Sequence, residues 1–238
     1  MATSPGRGRA VGALLLLQMA TGLILPFVFI LPINIGSPEF LVPALAESAR
    51  VRAAVLVAFV GGALCIAIAA TIFPVLRRRS ETLAVALVAS CTVSAALDAV
   101  HNGTVMSLLA VAKQAPDFPP GDASLIAMAA TAYSARVAAH YAQLVGFAGW
   151  LFVFYTAMFR FRLVPRPIAV LGLAAIVFQF SGVTLSHYLG YTIQGIFAMP
   201  LAPVHLLTAT WLLVKGFDRP AMGENQNEEV QCDSYVIS

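Results

Sequence analysis

Apolar residues run through this chain in long unbroken stretches. They neither alternate nor form the narrow stripe of a soluble amphipathic helix. Six such stretches, at about 11–33, 53–75, 83–107, 137–159, 168–188 and 196–214, are separated by short segments carrying Arg, Pro, Gly or Asp. A helix of about 20 apolar residues matches the hydrocarbon thickness of a bilayer. Backbone amides in lipid must be paired within their own segment or around a closed barrel, and continuous apolarity selects the helix. The pattern predicts an all-α fold: a polytopic membrane helix bundle of six transmembrane helices over 1–217. A polar, acidic tail at 218–238 reads as disordered.

Composition strengthens this reading. Hydrophobic types are 60% and charged types 11% of the 238 residues, against about 45–50% and about 25% in soluble domains. Mean hydropathy is +0.86. That much apolar surface has no place in a soluble core of this size. The basic residues fall in short clusters between apolar runs and form no nucleic-acid footprint, so no nucleic-acid partner is expected. The first run follows Arg7 and Arg9 as a signal peptide would, but its apolar core is longer than the roughly 7–15 residues of a signal h-region. It reads as a retained anchor. Cys65 and Cys91 lie in apolar runs and Cys232 in the tail, with no spacing that suggests a disulfide set or zinc site.

The arginines orient the bundle. With the N-terminus in the cytoplasm, the inner segments hold ten basic residues: Arg7, Arg9, Arg77, Arg78, Arg79, Arg160, Arg162, Arg166, Lys215 and Arg219. The outer segments hold three, Arg50, Arg52 and Lys113, with Arg136 at an outer boundary. This imbalance predicts both termini in the cytoplasm and an even number of crossings of the cell membrane. The stretch 113–122 reads as a turn-rich outer loop, 123–135 as a helical extension at the outer face, and 160–167 as a short inner link with Pro167 in the first turn of the next helix.

Against this background the third span is anomalous. It contains "ALDAVHNGTV" (96–105), with Asp98, His101 and Asn102 inside five positions. Spacings of three and four place them on one helix face. Asp98 lies 19 residues beyond Arg79, roughly 28 Å along a helix at about 1.5 Å per residue, in the outer half of the membrane. The fourth span brings Arg136, His140 and Gln143 to that level, the fifth His187 and Tyr188, and the second Arg50. His205 falls nearer the middle of the sixth. Arg50 or Arg52, Asp98, His101, Arg136, His140 and His187 are expected around one cavity open to the outer leaflet.

A charge near the bilayer centre costs at least about 2.5–3.5 kcal/mol, so Asp98 must be paired, with Arg136 the nearest candidate in depth, or protonated. One reading is a polar clamp between helices, worth about 0.6–2 kcal/mol. The other is a site, in which Asp98, His101 and His140 are catalytic acid–base groups and Asn102, Arg136, Gln143, His187, Tyr188 and Arg50 bind the substrate. "NGT" (102–104) matches a glycosylation acceptor, but lies within a span. Four histidines on four helices could ligate haem or a metal, yet no metal or haem motif accompanies them. No cofactor is expected. Trp150, Phe152, Phe154 and Tyr155 read as lipid-facing or packing groups.

Two stretches carry a resemblance. "RLVPRPIAVLGLAAIV" (162–177) and "LAPVHLLTATWLLVKGF" (201–217), together with the histidine and basic exit of the fourth span (138–166), resemble a family of bacterial six-helix membrane proteins known only as a domain of unknown function. The resemblance implies architecture and no activity. His205 stands where many relatives are expected to carry an acidic residue. A looser similarity, in size and in the acidic residue inside the bundle, is to the small membrane-embedded terpene cyclases. The expectation is thus a membrane enzyme acting by acid–base chemistry on a small lipophilic substrate, as an isomerase or cyclase would. The alternatives are a lipid or small-molecule transporter or binding protein, and a structural accessory subunit.

Overall fold

The structure, a computed structural model, describes residues 5–25, 28, 45–119, 121–191, 197 and 199–218. Six helices follow in order: α1 (Pro5–Ile24), α2 (Ser48–Arg77), α3 (Glu81–Gln114), α4 (Ala123–Arg160), α5 (Arg166–Leu189) and α6 (Leu201–Lys215). No strand occurs among the described residues. Helices α2 to α5 are each long and apolar enough to cross a membrane, and α6 is apolar but shorter. The second half of the expected first span, the start of the sixth and the tail from 219 lie outside the described residues.

The helix ends follow from local chemistry. Ser80 caps α3, its hydroxyl accepting from the Leu83 amide at 3.3 Å. Asp122 caps α4, its carboxylate accepting from the Ser124 amide at 2.8 Å and the Leu125 amide at 3.1 Å. The Ser124 hydroxyl, then the Leu125 amide, hold that carboxyl below its usual range. Pro167 sits in the first turn of α5, as its missing amide allows. Within α5, Phe180–Leu185 widens into a π-helical turn. The helical extension expected before the fourth span is found continuous with it: residues 123–160 form one unbroken 38-residue helix, about 57 Å long at 1.5 Å per residue. The loop expected at 113–122 is shorter than its Pro and Gly content suggests, because α3 continues through Lys113 to Gln114 and a 3₁₀ turn covers Ala115–Asp117.

Each helix packs on the next, and α6 returns to α1, so the six form a ring. Lipid offers no hydrophobic drive between helices, so close backbone approach must hold the contacts. The closure shows this. Gly8 and Gly12, four apart on α1, lie against Gly216–Phe217 and against Ala209 and Leu212–Leu213; a Cβ at Gly12 would stand 2.7 Å from the Ala209 carbonyl oxygen. The main core fills the ring near the Arg77–Arg79 end, around Ile72, Leu76, Leu87, Leu151, Phe154 and Leu212. A smaller cluster, Val51, Val55, Val105, Leu108 and Leu109, closes α2 against α3 toward the opposite end. Between them the ring is not filled.

Candidate functional site

Asp98 sits on that unfilled level, on the face of α3 turned to α4. One carboxyl oxygen, Oδ2, accepts from Asn102 Nδ2 at 3.3 Å, a turn further along the same helix. The other, Oδ1, accepts from Gln143 Nε2 on α4. Each oxygen therefore has its own amide donor, and the carboxyl is fixed in orientation by two helices.

The expected ion pair with Arg136 is not formed. Ion pairs among the described residues are Glu47–Arg50 at 3.4 Å and Arg77–Glu81 at 3.5 Å, both exposed. Arg136 precedes Gln143 by seven residues, two turns or about 10 Å along α4, so Gln143 meets Asp98 and the arginine lies past it. The guanidinium instead stands over the Tyr133 ring, 5.3 Å from its centroid, and its Nε is buried without a hydrogen-bond partner among the described residues.

The histidines separate into three settings. His101 and His140 face each other across α3 and α4, with ring centroids 5.2 Å apart. His101 Nε2 and His140 Nδ1 are both buried with no partner among the described residues. His187 stacks flat on Tyr141, at 3.6 Å and 2° between planes, on the outside of the ring. His205 on α6 is 6% exposed. Its Nδ1 lies 3.1 Å from the Tyr155 hydroxyl, which is also 3.4 Å from Thr208 Oγ1. Thr208 spends its own proton on the Val204 carbonyl at 2.9 Å, so toward Tyr155 it acts as acceptor. Tyr155 thereby engages Nδ1 and leaves Nε2 for the interior. Among the described residues no three His, Cys, Asp or Glu side chains gather as a metal site would need.

The unfilled space is a cavity of about 400 Å³ enclosed by α1, α2, α3, α4 and α6. Asp98, His140 and Gln143 line one side and His205 and Trp150 another; Gln18 and Thr21 of α1 and Ser94 of α3 add further polar positions. The remaining wall is largely apolar, with Phe147, Leu151 and Leu201 on it. Three expected site residues therefore reach the cavity. Asn102, 4% exposed, acts on Asp98 and does not line the cavity, and His101 stands behind His140. Arg136, His187, Tyr188 and Arg50 are not on the lining: Tyr188 is 55% exposed and Arg50 is held by Glu47. Depth alone placed them together, whereas their angular position around each helix turns them elsewhere. The asparagine of the glycosylation motif is buried against Asp98.

Contributors not anticipated as site residues include Gln18, Trp150, Tyr155 and His205. Gln18 was legible as the one amide within the first apolar run. Trp150, 1% exposed, faces the cavity, edge-on to His205 at 6.3 Å between centroids, not lipid. Phe152 does face outward, while Phe154 and Tyr155 are wholly buried. The Tyr155–His205 contact joins residues 50 apart, and no local pattern announces it.

No curated protein and no solved structure matches the chain. A family match extends over residues 10–216, from the first helix to the end of the sixth, and takes in 162–177 and all but the last residue of 201–217. The chain belongs to the family defined by the domain of unknown function DUF4386.

Proposed function

We propose that the chain is a membrane-embedded enzyme that takes a small lipophilic molecule into the six-helix ring and exchanges a proton with it at Asp98. One observation carries the reading: an oriented carboxyl, without a cationic partner among the described residues, forms part of the wall of a largely apolar cavity. A purely structural clamp needs no such space beside it. The volume falls within the roughly 300–1,000 Å³ usual for small-molecule sites. His140 shares the wall and His101 backs it, which supports a proton path from Asp98 along α3 and α4. A proton delivered to one atom of the substrate and removed from another moves bonds within one molecule. It consumes no second reactant, so isomerisation or ring closure is the chemistry that fits. The test is run in D2O: the protein in lipid nanodiscs is incubated with a lipophilic extract of its own membranes. The expected result is a compound that gains deuterium at carbon with wild-type protein and not with Asp98→Asn. A carrier would return every compound unlabelled.

The same reading places both termini in the cytoplasm of a cell whose plasma membrane the chain spans, supported by ten basic residues on one side against three on the other. In intact cells a membrane-impermeant maleimide is expected to label Asp117→Cys in a Cys232→Ser background. The native Cys232 should react only after permeabilisation. The reverse pattern would invert the topology.

A further inference from the structure

The polar side of the cavity also defines what it accepts. Asp98 is the one acidic side chain on the wall, and no Lys or Arg lines it among the described residues. Residues 26–44 and 192–198, partly outside the described set, contain no Lys or Arg either. The two amides nearest the carboxyl, Gln143 and Asn102, each already donate to it, one per oxygen. A ligand arriving here therefore meets an acceptor of negative character with no protein cation to satisfy it. The same wall carries Phe147 and Trp150, T-shaped at 6.2 Å between centroids, the second edge-on to His205. Aromatic rings beside a carboxylate in a desolvated space favour positive charge, and an anionic head would be repelled. Apolar residues over the rest of the wall call for a hydrocarbon body.

We infer that the ligand is a lipophilic molecule with a cationic nitrogen head, seated with that head at Asp98 and its hydrocarbon body along Trp150 and Leu201. This rests on the proposed use of the cavity and names the class of substrate it takes.

Three probes with one chain length and three heads separate the cases: decylammonium, decanol and decanoate, each titrated into the full-length protein in phosphatidylcholine nanodiscs while its melting temperature is followed. Decylammonium is expected to raise the melting temperature saturably. It should bind at least about ten-fold more tightly than decanol, the factor given by about 1.4 kcal/mol of charge recognition, and decanoate should give no saturable shift. Asp98→Asn should remove the preference. Gly62→Leu, which leaves Asp98 in place, should remove saturable binding of all three. A Cβ at Gly62 would meet Ala95 Cβ at 3.6 Å, Asp98 Oδ2 at 3.7 Å and Ala95 Cα at 3.8 Å, ordinary contacts from which a longer side chain enters the cavity. If decanol or decanoate binds as tightly as decylammonium in a manner sensitive to Gly62→Leu, the cavity stands and the cationic head is overturned. If no probe gives a saturable shift, the cavity is not a ligand site and both readings fall.

Discussion

Asp98→Asn is expected to lower turnover by about 10²–10⁴-fold, the usual contribution of a positioned acid–base group, while the protein still folds. The substitution keeps the side chain's size. An amide oxygen at the Oδ1 position still accepts from Gln143, and the new amide nitrogen faces Asn102, whose own amide must turn to offer its oxygen. The stability cost is one rearranged hydrogen bond, about 0.5–1.5 kcal/mol. Asp98→Leu is the less informative variant. It strands two donors inside the bundle at about 1–3 kcal/mol each, so any activity lost would be mixed with damage to the fold. Gln143→Leu separates positioning from proton transfer: it frees one carboxyl oxygen and should reduce turnover less than Asp98→Asn. Deuterium incorporation measures the first effect and melting temperature the second. Full turnover in Asp98→Asn would remove this residue from the chemistry.

Gly172→Ala is expected to be strongly destabilising. Gly172 on α5 lies flat against the Tyr155 ring of α4; a Cβ there would overlap Cδ1 and Cε1 and stand 2.6 Å from Cγ. The ring has no room to yield. Tyr155 is fully buried, packed edge-on by Phe154 at 5.3 Å between centroids, and its hydroxyl is tied to His205 and Thr208. Overpacking costs about 1–3 kcal/mol, and a shifted Tyr155 would leave His205 Nδ1 unpaired at about 1–3 kcal/mol more. Gly149→Ala is the control, since nothing lies within 4 Å of a Cβ at that position on α4. Thermal unfolding in detergent should show the first variant well below wild type and the second beside it. Equal melting temperatures for the two would mean that α4 and α5 are not packed this closely.

The helices were legible because bilayer thickness and continuous apolarity leave few alternatives. Lys113 and Gln114, expected in a loop and found in α3, were harder, since a helix that leaves the hydrocarbon loses its apolar signature without losing its hydrogen bonds. The ring closure was not read. Its signal, Gly8 and Gly12 on one face of α1, says that a backbone comes close but not which one. The site was half legible. Depth follows from counting residues, and it brought Asp98, His140 and Gln143 to one level correctly. Rotation about each axis does not follow from counting. His187 was therefore expected inside and is found stacked on Tyr141 outside, and Arg136 was expected on Asp98 although Gln143 occupies that place. Trp150 and Tyr155 looked like packing groups because an aromatic residue that packs and one that lines a cavity are the same in sequence.

The most direct measurement of the central claim uses Trp150 as a reporter. The chain has two tryptophans, so Trp211→Phe leaves Trp150 alone, 1% exposed and on the cavity wall. Its fluorescence in nanodiscs is titrated with a bromine-substituted decylammonium. An occupied cavity predicts strong, saturable quenching that unbrominated decylammonium reverses and that Gly62→Leu abolishes. Quenching that rises linearly with probe in the bilayer, unchanged by Gly62→Leu, would contradict a ligand site inside the ring.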